Sequence, residues 1–352
     1  MTTLRIAVAG AGLIGRAHIA RILAEPRMTL IGIIDPSDDA KALAKEHGVI
    51  WWQDLATALA LAQPDGVVIA TPTALHAQHG LLAVAARTPM LMEKPIADTL
   101  AGARALVRAA EVAGVPILVG HHRRHSPATA VARALIQSGT LGTIVAVQGS
   151  CLLRKPGGYF DGPGAWRTQP GGGVVLINLV HVIDDLRTLC GEIASVQAMT
   201  SQQTRGFAVE DTAAILLRFE SGALATLIAS DAATAPWSWE LTSGEDPAFS
   251  QTDQNCYWVA GTAGSLAVPQ MEWWRHEGDG WMTGMGAARI PVPDGDPLTR
   301  QMAHFCEVIG GATPLLDGAG GLRTLAVALA VHEAARTGGA VQMNAFLGAP
   351  DA

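Results

Sequence analysis

Cysteine is scarce in this chain. The four present, Cys151, Cys190, Cys256 and Cys306, stand far apart with no CxxC spacing. They read as reduced, structural thiols of a reducing compartment. Basic charge is also in deficit: 24 Lys and Arg face 31 Asp and Glu, a net charge of −7. A nucleic-acid partner needs a basic surface, so none is expected. No apolar run approaches the roughly 20 residues that span a bilayer, so no membrane partner is expected either. The N-terminus runs straight into a strand pattern, Leu4-Arg5-Ile6-Ala7-Val8-Ala9, without a basic stretch leading into a long apolar one. A cytoplasmic location is the expectation. Internal repeats and low-complexity linkers are missing as well.

What is present is a large apolar interior. Apolar residues make up 49% of the 352 and charged residues 16%, which excludes disorder and suits two domains with separate cores. Up to about residue 120, apolar runs alternate with amphipathic stretches. Strands are predicted at Leu4–Ala9, Met28–Ile34, Gly66–Ala70, Met90–Met92 and Pro116–Val119. Helices are predicted at Arg16–Ala24, Asp38–His47, Leu55–Ala62, Leu75–Ala86 and Leu100–Ala113. Continuous apolar strands alternating with helices specify a parallel sheet covered on both faces.

After residue 120 the texture changes. A helix is predicted at Pro127–Ser138, a strand at Thr143–Gly149, a Gly-rich loop from Pro156 to Gly173 and a helix at Val174–Leu189. Strand patterns follow at Ser195–Thr200, Thr212–Phe219, Ala223–Ser230 and Ser238–Thr242, and a long helical pattern at Leu322–Arg336. Successive strands with few helices suggest a mainly antiparallel sheet, open on one face. The expected architecture is an α/β Rossmann domain over residues 1–120 and an α+β domain over 121–352, the helix near 322–337 packing back on the first.

Ala9-Gly10-Ala11-Gly12-Leu13-Ile14-Gly15 directly follows the first strand and opens the first helix. In such a turn the first glycine permits a tight bend and the second lets backbone approach a pyrophosphate. The third lets helix and strand pack closely, and the helix N-terminus, at Leu13 and Ile14, offers free N–H groups. Strand two ends Ile33-Ile34-Asp35, placing a carboxylate where it can accept from both ribose hydroxyls. No Arg follows to neutralise a 2′-phosphate, so NAD is expected over NADP. Ala70-Thr71-Pro72, with His76 beyond, ends another strand, where ligands of such sheets lie. The same segment also serves as a plain N-cap.

Met92-Glu93-Lys94-Pro95 ends the next strand, and Gly120-His121-His122-Arg123-Arg124-His125 follows the last. With Trp166-Arg167, Gly171-Gly172-Gly173, a helix carrying His181 and Asp184, and the closing Gly321–Val341 segment, the chain resembles the family of glucose–fructose oxidoreductase and inositol 2-dehydrogenase (Gfo/Idh/MocA). The resemblance covers nearly the whole chain. It implies a Rossmann domain, an α/β domain whose open sheet commonly mediates oligomers, and a homodimer or homotetramer.

By the same resemblance Lys94 lies beside the nicotinamide and the substrate hydroxyl, and its peptide bond to Pro95 is cis. An ammonium there can steady a developing alkoxide or join in proton transfer. His181 matches the family's general acid/base, a task suited to imidazole near neutral pH. Many members carry Asp four residues earlier; this chain has Ile177. Asn178, three residues before His181, is left to position substrate. Asp184 either orients His181 or is structural.

The resemblance places Glu93 and Arg123 at the cofactor, and Trp166 and Arg167 at its nicotinamide end or at the substrate. Arg167 in an interdomain salt bridge is equally consistent. His122, Tyr159 and Trp237 are the remaining candidates for substrate contact. Trp237, Trp239, Trp258 and Trp273-Trp274 suit either a carbohydrate wall or a subunit interface. The histidines at 121, 122 and 125 raise a metal, but adjacent residues of an extended segment point oppositely and no carboxylate or Cys accompanies them, so none is expected. The reading is an NAD-dependent dehydrogenase for a secondary hydroxyl of a cyclic polyol, sugar or sugar derivative. A redox-neutral NAD-dependent glycoside-processing enzyme and a non-catalytic NAD-binding regulator are the alternatives.

Overall fold

The computed structural model describes residues 3–348. The chain falls into two compact units. One runs up to His125 and takes in Pro297–Leu325; the other comprises Ser126–Asp296 and the chain from Ala326. The first unit therefore extends five residues past the expected boundary and recovers a later segment. The helix Gly318–Thr337 is shared between the units, divided after Leu325.

Six parallel strands form the first unit's sheet: β1 (Leu4–Ala9), β2 (Met28–Ile34), β3 (Ile50–Trp52), β4 (Gly66–Ile69), β5 (Met90–Met92) and β6 (Ile117–Val119), in the order β3-β2-β1-β4-β5-β6. β4, β5 and β6 are buried at every residue, the mark of a sheet covered on both faces. β3 escaped the sequence reading because three residues, none fully buried, carry no periodicity. Side chains cap most of the crossover helices: Ser37 accepts from Ala40, Asp54 from Thr57 and Thr99 from Gly102. The helix Leu13–Ala24 starts at Gly12 with no side-chain cap.

The helix Pro297–Ile309 was not foreseen. Met302, Phe305, Cys306 and Val308 on it join Ile6, Val8, Val68, Leu91 and Leu118 in the core of the first unit.

The second unit holds β7 (Ile144–Leu152), β8 (Ile193–Ser201), β9 (Thr212–Phe219), β10 (Leu224–Ser230), β11 (Tyr257–Gly261), β12 (Ser265–Val268), β13 (Glu272–His276), β14 (Met285–Arg289) and β15 (Val341–Gln342). They form one sheet in the order β14-β13-β12-β11-β7-β10-β9-β8-β15, antiparallel except for the β7–β10 pair. β9 alternates buried and exposed residues, so one face packs inward while Leu216, Leu224 and Trp258 stand on the open face. The inner face lies against the helix Val180–Cys190. A Cβ at Gly149 of β7 would meet Leu227, Tyr257 and Val182, and glycine lets helix and sheet close up.

Two expectations are corrected. Ser238–Thr242 is not a strand; Trp239–Thr242 is a short helix. The alternating Trp-Ser-Trp-Glu imitates strand periodicity, but Trp239 is buried and stacks on Tyr257 at 5.8 Å. Thr242 Oγ1 also donates back to the Ser238 carbonyl at 2.8 Å. The segment after β6 is not extended either: His122–His125 is a 3₁₀ turn, closed by the Arg124 N–H donating to the His121 carbonyl at 3.1 Å. The argument that its histidines point oppositely therefore lapses. Among the described residues, no group of three or more His, Cys, Asp or Glu is arranged to hold a metal. No described helix is long and apolar enough to cross a membrane.

Candidate active site

In a parallel sheet the loops after the strand C-termini share one end. Five of them hold the candidate residues of the first unit: the glycine turn after β1, Asp35 after β2, Ala70-Thr71-Pro72 after β4, Glu93-Lys94 after β5 and His122-Arg123 after β6.

The glycine turn divides its labour among three residues. Gly10 has φ +94°, and a Cβ on it would strike the Ala70 carbonyl; a Cβ on Gly15 would strike the Gly10 carbonyl. Those two glycines let the turn and helix pack. Gly12 has nothing within 4 Å of its Cβ position, leaving its backbone approachable. Asp35 is pinned to the same turn. Its carboxylate accepts from the Ala11 N–H at 2.9 Å, the Ser37 N–H at 2.9 Å and the Ser37 hydroxyl at 2.6 Å. Burial raises its pKa, but these bonds and the Arg16 charge outweigh it and hold the carboxyl below its ordinary range. Open backbone, an uncapped helix start and an anionic carboxylate together fit a dinucleotide.

His76 was expected near the cofactor, but its ring is already spent on backbone. It is buried, with Nδ1 2.7 Å from the Pro95 carbonyl and Nε2 2.8 Å from the Thr71 carbonyl. Burial holds its pKa low while the two carbonyls pull it up. As a neutral ring it donates to one of them, clasping the Thr71 loop to the Pro95 loop. Thr71 Oγ1 also lies 3.1 Å from His79 Nδ1.

The Lys94–Pro95 peptide bond is cis. Next to Lys94 in the chain is one member of a residue pair that sequence reasoning missed in part. Glu93 is buried, and its Oε1 lies 2.8 Å from Nε2 of the fully buried His18. Its Oε2 accepts the Lys94 N–H at 3.1 Å. Burial raises the Glu93 pKa, but the His18 hydrogen bond first, and then electrostatic attraction to His18 and Lys94, bring it down to about 2. Glu93 is therefore a buried anion next to Lys94 in the chain. Gly120, whose Cβ would lie 3.0 Å from Glu93 Cα, admits this close packing. The one cue to His18 in the sequence was a histidine three residues after Gly15, on an otherwise apolar helix face.

His122 is held neutral, its pKa pushed down to about 4 by burial and then by the Arg123 charge. Arg123 is buried. The helix Pro297–Ile309 braces this turn: Arg300 Nε donates to the His125 carbonyl at 2.9 Å, and His304 Nδ1 lies 2.9 Å from His125 Nε2.

The second unit holds Tyr159, Trp166, Arg167, Asn178, His181 and Trp237. The Gly-rich loop contains two 3₁₀ turns, Gly157–Phe160 and Gly162–Thr168. Arg167 Nη1 donates to the Tyr159 carbonyl at 2.9 Å, and the guanidinium lies over the Tyr159 ring at 4.1 Å and the Trp166 ring at 5.2 Å. Trp166 and Trp237 are largely exposed.

Asn178 lies on a π-helical turn, Val175–Leu179, that leads into Val180–Cys190, the helix that carries His181; both residues are buried. Glu210 fastens the start of this segment. Its Oε1 accepts the Val175 N–H at 3.0 Å, its Oε2 lies 3.4 Å from His332 Nε2, and Gly173 leaves room for it. Asp184 lies 3.7 Å from Arg187, one helical turn on.

This arrangement defines an NAD-binding oxidoreductase. Residues 4–121 match the oxidoreductase family with its NAD-binding Rossmann fold, and residues 129–267 match the Gfo/Idh/MocA C-terminal domain. The chain belongs to the Gfo/Idh/MocA family of sugar and polyol dehydrogenases. It is 30% identical to the D-apiose dehydrogenase of Paraburkholderia graminis, covering 97% of this chain and 90% of that one. It is 26% identical to the scyllo-inositol 2-dehydrogenase (NAD⁺) of Bacillus subtilis, over 97% and 96% respectively. Among solved structures, levoglucosan dehydrogenase in complex with NADH and levoglucosan shares the fold, with TM-score 0.80, 22% identity and coverage of 97% of this chain and 100% of that one. The protein is thus an enzyme acting on CH–OH groups with NAD as cofactor.

Proposed function

We propose that this enzyme oxidises a secondary hydroxyl of a cyclic polyol, sugar or sugar derivative. Gly10, Gly12, Leu13, Ile14 and Gly15 would hold the pyrophosphate and Asp35 the adenosine ribose. Ala70, Thr71, Pro72, Arg123, Trp166 and Arg167 would border the remainder of NAD, which supplies the hydride acceptor when bound. His181 takes the hydroxyl proton, Lys94 hydrogen-bonds the developing alkoxide, and Asn178 orients the substrate. His122, Tyr159 and Trp237 complete the substrate's surroundings. Glu93 and His76 act by fixing the turn that bears Lys94. The first unit serves chiefly the nucleotide and the second chiefly the substrate.

One observation carries this reading. Lys94 follows a strand C-terminus, its backbone N–H bonded to the carboxylate of a buried, ionised Glu93 on which its charge acts, at the same sheet end as the glycine turn and Asp35. A nearby carboxylate and ammonium attract one another, and a cation beside the substrate hydroxyl can steady an alkoxide.

The open face of the nine-stranded sheet, with Leu216, Leu224 and Trp258 exposed, would take a second copy of the chain, giving a homodimer or homotetramer in the cytoplasm. Incubating the protein with NAD and a panel of inositols, aldoses and uronates tests the activity by absorbance of NADH. Growth of the signal with at least one member is expected; a flat trace throughout overturns the proposal. Sizing chromatography tests the assembly, and a monomer overturns it.

A further inference from the structure

The start of a helix leaves four backbone N–H groups without an intrahelical partner. At the start of the segment that carries Asn178 and His181, one residue from far along the chain takes two of them. The Glu210 carbonyl accepts the Val174 N–H at 3.2 Å, and Glu210 Oε1 accepts the Val175 N–H at 3.0 Å. The residue is buried, and its carboxylate lies at a helix N-terminus, where negative charge is favoured. Its Oε2 is 3.4 Å from His332 Nε2. Gly173, at φ +83°, makes the space, since a Cβ there would strike the carboxylate.

Glu210 is itself held by the sheet. Its neighbour Asp211 donates its N–H to the Ser201 carbonyl at 2.9 Å and accepts the Asp231 N–H on its own carbonyl at 3.0 Å. The Asp211 carboxylate takes the N–H groups of Thr204 and Arg205 at 3.0 and 2.9 Å. β9 begins one residue later, at Thr212. The hold on the helix therefore extends from a strand end pinned on both sides.

What Glu210 grips is a π turn. The Val180 N–H reaches back five residues to the Val175 carbonyl; in α geometry the same N–H would bond Leu176. Val175 is thus secured twice, its N–H by Glu210 and its carbonyl by Val180, and His181 is the next residue along. A π turn carries about one residue more than an α turn. Its collapse to α geometry would turn His181 by about 100° relative to Glu210 and shift it about 1.5 Å along the axis. Such turns are rare and frequently lie at functional sites.

We propose that Glu210 is a positioning residue for His181: by securing Val175 it fixes the register of the π turn, and with it the direction in which the imidazole is presented. The word positioning rests on the reading of His181 as the group that takes the proton; the anchor stands on backbone geometry alone. A plain structural cap would hold the fold together without setting the rate of the folded enzyme.

The test uses the full-length, NAD-saturated protein and three variants. Glu210→Met keeps the length without the acceptor, Glu210→Asp keeps the charge but falls short of Val175, and Glu210→Gln keeps an acceptor at the same reach. NAD affinity checks the folding of each, and Glu210→Asp carries the comparison should Glu210→Met not fold. Amide hydrogen exchange over residues 174–181 should speed up about tenfold or more in Glu210→Met and Glu210→Asp, the size of one lost hydrogen bond to a charged group. In Glu210→Gln it should stay within a few-fold of wild type. Single-turnover NADH formation with the best substrate of the panel should fall roughly 10- to 100-fold in the first two variants. Their substrate KM and NAD affinity should stay within a few-fold, and Glu210→Gln should retain most of the rate. Unchanged exchange or an unchanged rate in Glu210→Met and Glu210→Asp, or an equal loss in Glu210→Gln, overturns the proposal. Faster exchange in a protein that forms no NADH with any panel member would support the anchor while sinking the dehydrogenase reading. NADH formation that neither variant slows would do the reverse.

Discussion

His18 Nε2 and Glu93 Oε1 stand 2.8 Å apart with both residues buried, joining the helix of the glycine turn to the turn that bears Lys94. Removing one partner of a buried, hydrogen-bonded charge leaves the other to bear its own desolvation. His18→Ala should therefore lower stability by about 1–3 kcal/mol, read as a shift in the urea midpoint. His18→Asn, which keeps a donor, should recover part of the loss; equal loss in both variants would contradict the pairing.

Asp35 is an anion at neutral pH and already faces the glycine turn. Asp35→Ala should weaken NAD binding about tenfold or more, the worth of a hydrogen bond to a charged group, and narrow the discrimination against NADP. Fluorescence titration with both nucleotides measures it. Unchanged selectivity would speak against a ribose contact.

Lys94→Ala and His181→Asn should each cut turnover by roughly 10²–10⁴-fold while NAD affinity stays within a few-fold. Single-turnover absorbance with the best substrate of the panel gives the first quantity and equilibrium titration the second. Normal turnover in either variant removes that residue from the chemistry.

His125 and His304 meet nitrogen to nitrogen at 2.9 Å, so one donates and the other accepts. Burial first, and then the His304 charge, push the His125 pKa from 6.5 down to about 3. The unfolded chain thus binds the extra proton more readily, and stability rises with pH across this window. The contribution is complete above about pH 6.5 and is lost progressively toward pH 3. Melting temperatures of the wild type should fall between pH 7 and 4, and less steeply in His125→Gln. Parallel curves would disprove the coupling.

The first unit was largely legible because buried parallel strands are apolar throughout and the glycine turn follows one directly. The second was read less completely. The strands from Tyr257 to Arg289 are four or five residues long and carry glycines and charges that break any period. The helix Pro297–Ile309 is amphipathic, yet its partners lie far earlier in the chain, which local patterning cannot show. Trp239 imitated a strand because alternation records spacing, whereas the ring's stacking on Tyr257 decided the backbone. Lys94 and His181 stood out through motif order; His18 did not, since its significance lies in its distance to Glu93.

Of the three turn glycines, Gly10 and Gly15 are demanded by neighbouring backbone, whereas open space surrounds Gly12. The fold would accept a methyl group at position 12 without complaint; a bound pyrophosphate would not. Descendants that kept this architecture but abandoned the nucleotide would be free to lose the middle glycine first, so that one position can record whether selection still acts on the cofactor.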